Sequence, residues 1–309
     1  MLREAGCDVI ESQVPRRLTA EELIPLVRDV AGIIAGTDQF TAEVIAAAGK
    51  LRVISRWGIG VDAVDVAAAT RHGVVVTNTP RLTADAVADL TFGLMIALAR
   101  RLIEADALVR RGEWVEMGGV NVWRKCLGII GFGAIGQAVA RRARGFDMRV
   151  LVYDVCRDEV TASGLAADYV PLDELLREAD FVTLHASLTD QSRGMIAERE
   201  IGLMKPSAYL INTARGALVG ENALVAALQE KRIAGAAIDA YWEEPPPKGH
   251  PLMRLDNCVL TPHSGFNTIE TVRQVNRLAA RNLLDVLEGR RPAHVVNPEV
   301  YERPGSRPT

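Results

Sequence analysis

Three ionisable residues in the second half of the chain have the types that hydride transfer to or from a 2-hydroxy acid requires. Arg215, in the segment NTARG, can bind a carboxylate through two hydrogen bonds and polarise an adjacent carbonyl oxygen. His263, in TPHSG, can donate a proton to that oxygen as the hydride arrives, or remove it in the reverse direction. Glu244, in DAYWEEP, would favour the protonated imidazole and fix its orientation if it lay beside His263. We predict no metal ligands, because this chemistry needs no metal ion.

A glycine-rich segment, residues 127–154, indicates where a nucleotide would bind. Gly131, Gly133 and Gly136 have the G-x-G-x-x-G spacing, between an apolar strand and a helical pattern. The first glycine permits a tight turn, the second lets the backbone approach a pyrophosphate, and the third allows close helix–strand packing. The N-terminus of the helix supplies N–H groups for the phosphates. Asp154 ends the next strand and can accept hydrogen bonds from both ribose hydroxyls, so we predict NAD as the cofactor.

The elements that must position these residues alternate between strands and helices, which predicts a parallel α/β sheet. Doubly wound sheets bind their ligands at the carboxyl ends of the strands, and the three ionisable residues all follow predicted strands. The predicted strands of this region are 127–130, 149–153, 181–184, 210–212, 236–239 and 258–261. The predicted helices are 135–144, with Gly145 as its C-cap, 174–177, 221–229 and 269–287.

The first third of the chain predicts a second α/β unit that has no phosphate loop. Its predicted strands are 7–12, 31–35, 52–55 and 74–77, and its predicted helices are 19–30, with a capping box formed by Thr19 and Glu22, 41–48 and 64–71. A helical stretch, 84–110, follows a hinge near Pro80. An irregular segment, 112–124, then carries Trp114 and Trp123.

Composition bounds the class of protein. The chain has 309 residues, 49% of them hydrophobic, and a formal charge of -3, which suggests two domains and gives no electrostatic reason to expect nucleic acid or a membrane as partner. The four cysteines lie far apart, which favours reduced thiols in a cytoplasmic protein. The tail 303–309, rich in proline and polar residues, is expected to be disordered.

Seven motifs occur in the order typical of one enzyme family: ISRWGIGVDAVD, VTNTP, GFGAIGQAVARRA, ADFVTLHASLT, MKPSAYLINTARGALV, GAAIDAYWEEP and LTPHSG. Through them nearly the whole chain resembles the D-isomer-specific 2-hydroxyacid dehydrogenases, most closely the phosphoglycerate-dehydrogenase-like branch. The resemblance implies that Arg215, Glu244 and His263 are catalytic. The cofactor contacts that it implies are Ala134, Ile135, Asp154, Thr213 and Asp239, and the backbone amides that it implies for the substrate carboxylate are those of Gly58, Ile59, Gly60 and Val61.

The resemblance also implies an architecture. A Rossmann-type doubly wound parallel sheet would form the NAD-binding domain, residues 81–266. A smaller flavodoxin-like α/β domain, residues 1–80 with 267–309, would bind the substrate, with the active site in the cleft between the domains. Family members are usually homodimers joined through the nucleotide domain, which here implicates 84–110 and 112–124.

The beginning of the chain departs from the family's pattern. Family members have a strand and most of a helix before the segment that resembles LREAGCDVIE. Here residues 1–6 are predicted to form the last turn of a helix, with Gly6 as its cap, and residues 7–12 the next strand. We therefore expect the small domain to lack its first strand, as it would after truncation or with a start codon assigned too far downstream. The alternative is that this protein has a shorter sheet.

The sequence is compatible with more than one substrate and with more than one functional class. Family members that act on phosphorylated acids often carry an arginine where this chain has Ala35-Gly36-Thr37, which weakens an assignment to 3-phosphoglycerate. A glyoxylate or hydroxypyruvate reductase with the same site is the alternative within the enzyme class. From another class, NAD-responsive corepressors share the fold and the three ionisable residues, and absence of turnover on every 2-keto acid would favour that class.

Overall fold

The computed structural model describes residues 1–12, 14 and 16–302, so the predicted disorder of 303–309 lies outside the described residues. The chain divides into two compact units, Met1–Thr83 with Thr268–Thr309, which we call the small unit, and Ala84–Asn267, the large unit. No helix among the described residues is both long and apolar enough to cross a membrane.

The large unit contains a seven-stranded sheet in which every neighbouring pair is parallel. Its strands are β4 (Cys126–Ile130), β5 (Arg149–Tyr153), β6 (Ala167–Tyr169), β7 (Phe181–Leu184), β8 (Tyr209–Asn212), β9 (Gly235–Ile238) and β10 (Cys258–Leu260). Its helices are α4 (Ala84–Ala99), α5 (Leu102–Arg110), α6 (Ala134–Ala143), α7 (Glu159–Gly164), α8 (Leu172–Glu178), α9 (Glu198–Leu203) and α10 (Glu221–Gln229). The spatial order β10-β9-β8-β7-β4-β5-β6 reverses direction at β4 and β7, which makes the sheet doubly wound as predicted.

The central strands β4, β7, β8 and β9 are buried on both faces, which explains why they are nearly continuous apolar runs. Leu127 and Ile129 of β4 belong to the hydrophobic core that includes α4 and α6. Ile130 belongs to the opposite core, which includes α8, α9 and α10. A Cβ atom on Gly128 would lie 2.4 Å from Leu175 Cδ2 of α8, so a glycine lets this helix pack directly on β4. The central strand is therefore held rigidly just before the glycine loop.

The small unit contains a three-stranded parallel sheet in the order β1-β2-β3. Its strands are β1 (Gly32–Ala35), β2 (Val53–Arg56) and β3 (Val75–Thr77), and its helices are α1 (Ala20–Val27), α2 (Ala42–Ala47), α3 (Val66–Arg71) and α11 (Ile269–Leu287). The capping box of Thr19 and Glu22 at the start of α1 is confirmed. The buried Asn297 ties the closing segment to β3, because its Oδ1 accepts from Val76 N at 2.8 Å and its Nδ2 donates to Val74 O at 2.9 Å.

The predicted strand at residues 7–12 is wrong, because the structure has no regular element there. A 3₁₀ turn, Arg3–Ala5, precedes it, and Gly6 caps that turn in a left-handed conformation, as the sequence predicts. The alternating pattern of 7–12 would need a neighbouring strand to bury one face, and none of β1, β2 and β3 pairs with it. Ile10 is accordingly 75% exposed.

Two helix ends also differ from the prediction. The stretch 84–110 is two helices, because Val120 N donates to Ala99 O at 2.8 Å and so takes a carbonyl that a continuing helix would use, and Arg101 adopts a left-handed φ of 50°. Gly145 is not the C-cap of α6, because the helix runs on into a 3₁₀ turn over Arg144–Phe146. The left-handed residue is Asp147, whose side chain accepts from Trp123 Nε1 at 3.0 Å.

Candidate active site

The loop after β4 contains three glycines, Gly131, Gly133 and Gly136. Packing within the chain explains why the first and the third are glycine, but it does not explain the second. Gly131 has a φ of 94°, and a Cβ on it would lie 2.4 Å from Ala186 N. A Cβ on Gly136 would lie 2.2 Å from Gly131 O. Gly133, in contrast, has an ordinary φ of -72°, and a Cβ there would meet no atom of the described chain within 4 Å. Glycine at that position leaves the backbone open to the close approach that a pyrophosphate would need.

Three other residues predicted to contact the cofactor, Ala134, Ile135 and Asp154, lie around the same loop. Ala134 and Ile135 are the first residues of α6, so the N–H groups at the free end of the helix face the loop. The Asp154 carboxylate, directly after β5, accepts from Phe132 N at 2.6 Å and from Cys156 N at 2.8 Å. These two hydrogen bonds hold the carboxylate beside the phosphate-binding turn. The arrangement fits a dinucleotide with a free ribose diol.

At the ends of β8, β9 and β10 the structure brings the three predicted catalytic side chains together. His263 Nδ1 lies 2.7 Å from Glu244 Oε1, which also accepts from Tyr241 N at 3.0 Å. Burial acts to raise the pKa of Glu244, but the hydrogen bond and charge of His263 and the nearby charge of Arg215 lower it below its usual value. The carboxylate is therefore ionised and held against the imidazole. His263 and Glu244 are both partly accessible, with 28% and 21% of their side chains exposed.

Local backbone packing sets the position of Arg215. The buried Asn212 side chain closes the turn after β8, accepting from Ala214 N at 3.0 Å and donating to Arg215 O at 2.8 Å. A Cβ on Gly216 would lie 2.2 Å from the carbonyl carbon of Tyr241. The loop that carries Arg215 thus packs closely against the backbone of the loop that carries Glu244.

Asp239 and Thr213, both predicted to contact the cofactor, are buried beneath this edge of the sheet. The Asp239 carboxylate accepts from Thr261 Oγ1 at 2.6 Å and from the backbone N–H groups of Ser264 and Gly265 at 2.8 and 2.9 Å. It therefore fixes the loop that carries His263, a role that the sequence reasoning missed because it depends on contacts more than twenty residues away. Thr213 Oγ1 lies 3.3 Å from the hydroxyl of Thr91 on α4.

The predicted substrate loop, Gly58 to Val61, follows β2 in the small unit. Gly58 has a φ of 140°, a conformation that favours glycine.

Two further histidines, His250 and His185, have no predicted role in catalysis. His250 lies 2.7 Å from Glu221 Oε1, and the ring nitrogens of His185 are buried with no hydrogen-bond partner among the described residues.

Comparison with known proteins agrees with this geometry. The family model described as "D-isomer specific 2-hydroxyacid dehydrogenase, NAD binding domain" matches residues 92–265. The chain belongs to this family. A glyoxylate reductase of Korarchaeum cryptofilum is 44% identical over 313 residues, covering 97% of this chain and 94% of that protein. As a 2-hydroxyacid dehydrogenase, the chain is an enzyme that uses NAD to interconvert a D-2-hydroxy acid and a 2-keto acid.

Two solved structures are similar to this chain over nearly its whole length. A crystal structure from Thermus thermophilus has a TM-score of 0.87 and 40% identity, and covers 96% of this chain and 94% of its own. A D-lactate dehydrogenase of Aquifex aeolicus, complexed with NAD and lactic acid, has a TM-score of 0.84 and 27% identity, with 96% and 95% covered.

Proposed function

We propose that this dehydrogenase reduces a small unphosphorylated 2-keto acid, glyoxylate or hydroxypyruvate, to the 2-hydroxy acid. The observation that carries the proposal is the 2.7 Å contact between His263 and the ionised Glu244, with the charge of Arg215 close by. The name glyoxylate reductase of the Korarchaeum cryptofilum relative supports this substrate class. The segment Ala35-Gly36-Thr37, which offers no cation for a phosphate, supports it as well.

In this mechanism each catalytic residue acts on a different atom of the substrate. Arg215 binds the carboxylate and polarises the carbonyl oxygen, and amides of the loop Gly58 to Gly60 bind the same carboxylate. His263 donates the proton on Nε2 to the carbonyl oxygen, because its Nδ1 is engaged by Glu244. Glu244 stabilises the protonated imidazole before the transfer and fixes the plane of the ring. Bound NADH supplies the hydride.

The residues proposed to hold the dinucleotide divide by the part of the cofactor that they would contact. The pyrophosphate is assigned to the glycine loop and the first turn of α6, and the adenosine ribose to Asp154. The nicotinamide half is assigned to the ends of β8 and β9. The full set is Gly131, Gly133, Ala134, Ile135, Gly136, Asp154, Thr213 and Asp239.

The proposed form of the enzyme is a cytoplasmic homodimer joined through α4, α5 and the segment 112–124. Trp114, 88% exposed, and Trp123, 51% exposed, support this interface, because large aromatic side chains in so polar a segment are stabilised by burial against a partner. Helix α5 buries none of its residues within one chain.

The test of the function is steady-state turnover of NADH with a panel of small 2-keto acids, including glyoxylate, hydroxypyruvate and pyruvate. We expect glyoxylate or hydroxypyruvate to give the highest kcat/KM. His263→Ala should lower kcat about 10²–10⁴-fold, the usual contribution of a positioned proton donor. No turnover of any acid in the panel would contradict the proposal and favour an NAD-responsive binding protein.

A second comparison isolates the role of Glu244 from that of its neighbour. Glu244→Gln removes the charge that favours the protonated imidazole. As the pH is raised, the rate of keto-acid reduction should therefore begin to fall at a lower pH than in the unaltered enzyme. The control is Glu243→Gln, an exposed carboxylate one residue away, which should leave the pH profile of kcat/KM unchanged. Identical profiles for the two variants would contradict the assignment of Glu244.

A further inference from the structure

Three consecutive carbonyl oxygens of the loop after β2 are bound by three different donors of the small unit. Gly58 O accepts from Thr79 N at 3.0 Å. Ile59 O accepts from Asn78 Nδ2 at 2.9 Å. Gly60 O accepts from Arg56 Nε at 2.7 Å. We call these contacts the carbonyl clamps. They tie the loop to β2 and to the turn after β3.

The clamps determine where the amides of the loop point. In a planar trans peptide unit the C=O bond and the N–H bond of the next residue point in opposite directions. Binding the carbonyls of Gly58, Ile59 and Gly60 therefore turns the N–H groups of Ile59, Gly60 and Val61 each away from the donor that holds its own peptide unit. Among the backbone contacts of the described residues, none of these three amides donates to another residue. The loop therefore has three consecutive amide donors that its own backbone contacts leave available, which suits an anion.

Two of the clamps come from side chains that are themselves held in place. Arg56 is 4% exposed, and its Nη1 donates to Ala35 O at 2.5 Å and also to Gly36 O, so the guanidinium joins the loop to the end of β1. The backbone of Asn78 is fixed on both sides, donating to His294 O at 3.3 Å and accepting from Asn282 Nδ2 at 3.1 Å. Neither side chain can follow the loop if the loop moves.

We propose that Asn78 and Arg56 are positioning residues for the substrate carboxylate, acting through the loop Gly58–Gly60. The inference rests on the proposed function, in which amides of this loop bind that carboxylate. The two side chains hold the loop in its anion-binding form before substrate arrives, so that binding does not have to order it. Their loss should weaken binding of the acid and leave the chemistry at His263 and the affinity for NADH unaltered.

The experiment measures KM and kcat for glyoxylate, the inhibition constant of oxamate, and the Kd of NADH from tryptophan fluorescence. Asn78→Ala should raise KM and the oxamate constant about tenfold, the usual effect of losing one hydrogen bond, with kcat changed less than about threefold. Asn78→Asp keeps the size of the side chain, so the fold is preserved, but its carboxylate repels Ile59 O. We expect it to raise both constants further. Arg56→Lys, which cannot reach three carbonyls at once, should act in the same direction.

The matched control is Asn276→Ala. This exposed asparagine of α11 accepts from Trp57 Nε1 at 2.6 Å, one residue before the loop, and touches none of its carbonyls. It should leave KM and the oxamate constant unchanged. Unchanged KM in folded Asn78→Ala and Asn78→Asp, or an equal loss of NADH affinity, would overturn the positioning role while leaving the proposed function intact. No turnover of 2-keto acids by the unaltered protein would overturn both.

Discussion

In the proposed binding mode, Asp154 would place a negative charge where the 2′-phosphate of NADP would lie, and the nearest cation in sequence, Arg157, has other partners. Arg157 forms an ion pair with Glu159 at 2.9 Å and stacks on the ring of Tyr169 at 4.7 Å. We expect Asp154→Ser to reduce the difference in kcat/KM between NADH and NADPH, because it removes the repulsion of the 2′-phosphate and keeps a hydrogen-bonding group. The measurement is the ratio of kcat/KM for NADH to that for NADPH. Equal efficiency of the unaltered enzyme with both would contradict this role.

His185 is expected to limit stability in acid. Burial lowers the pKa of His185 to about 3, whereas an unfolded histidine titrates near pH ~6.5. Between these values the unfolded chain binds a proton that the folded chain does not, so the free energy of unfolding falls as the pH falls. His185→Phe should remove that part of the pH dependence. It should also stabilise the protein at pH 7.5 by about 1–3 kcal/mol, because it removes two buried nitrogens that have no hydrogen-bond partner among the described residues.

Denaturant unfolding at pH 7.5 and 5.5 checks this prediction. The control is His72→Gln at an exposed position, which should leave both free energies of unfolding unchanged. Equal destabilisation of His185→Phe at both pH values would show that the ring makes a contact worth more than the cost of its burial.

At the scale of single residues, the sequence predicts reactive side chains at strand ends but does not indicate the hydrogen bonds that hold nearby loops. Arg215, Glu244 and His263 could be found because parallel strands end at one edge of a sheet. Asn78 and Asp239 act through hydrogen bonds to backbone groups of other loops. No spacing or residue type signals such contacts, because they exist only once the strands are aligned.

Among the elements, the loops after β8 and β9 are in contact so close that one added side-chain atom would not fit between them. Gly216→Ala would place a Cβ 2.2 Å from the Tyr241 carbonyl carbon and 2.4 Å from Trp242 N, so the two loops must separate. We expect a loss of about 1–3 kcal/mol of unfolding free energy from overpacking, and a fall in kcat/KM as Arg215 moves away from Glu244.

Gly202→Ala provides the matched control for that prediction. Gly202 is an exposed residue within α9, and a Cβ there meets nothing within 4 Å. This change should raise the unfolding free energy by about 0.5–1 kcal/mol, because alanine restricts the unfolded chain and favours the helix. The measurements are thermal unfolding and steady-state kinetics of the two variants side by side. Equal changes of unfolding free energy and kcat/KM in Gly216→Ala and Gly202→Ala would contradict the prediction.

Helices and strands are predictable from the sequence where the apolar periodicity of the segment itself determines its bounds. Helices 221–229 and 269–287 and the strand 149–153 have the predicted bounds, since apolar periodicity and burial agree there. Residues 7–12 were predicted from the same kind of pattern but have no strand to pair with. The stretch 84–110 breaks where Val120 binds Ala99 O, a contact from twenty residues further on. Local pattern fails where a distant backbone group supplies or withholds a partner.

At the scale of the whole molecule, the exposed apolar side chains of α5 and the segment 112–124 are what a homodimer would cover. Six of them belong to this region besides Trp123: Leu102, Ile103, Val109, Trp114, Val115 and Val120. Trp123 already has partners within the chain, since its Nε1 donates to Asp147 Oδ2 and Arg124 stacks on its ring at 4.3 Å. Trp114 is therefore the better candidate for the residue that anchors a partner.

Trp114→Ser tests that anchor. Tryptophan is enriched among the residues whose truncation costs most of the binding energy at an interface. We therefore expect the dissociation constant of the dimer, measured by sedimentation velocity over a concentration series, to rise at least about thirtyfold. Val160→Ser on α7 is the control, because that valine is 86% exposed but lies outside α4, α5 and the segment 112–124. It should leave the dissociation constant unchanged. An unaltered protein that sediments as a monomer at micromolar concentration, or equal weakening by both substitutions, would contradict the proposed interface.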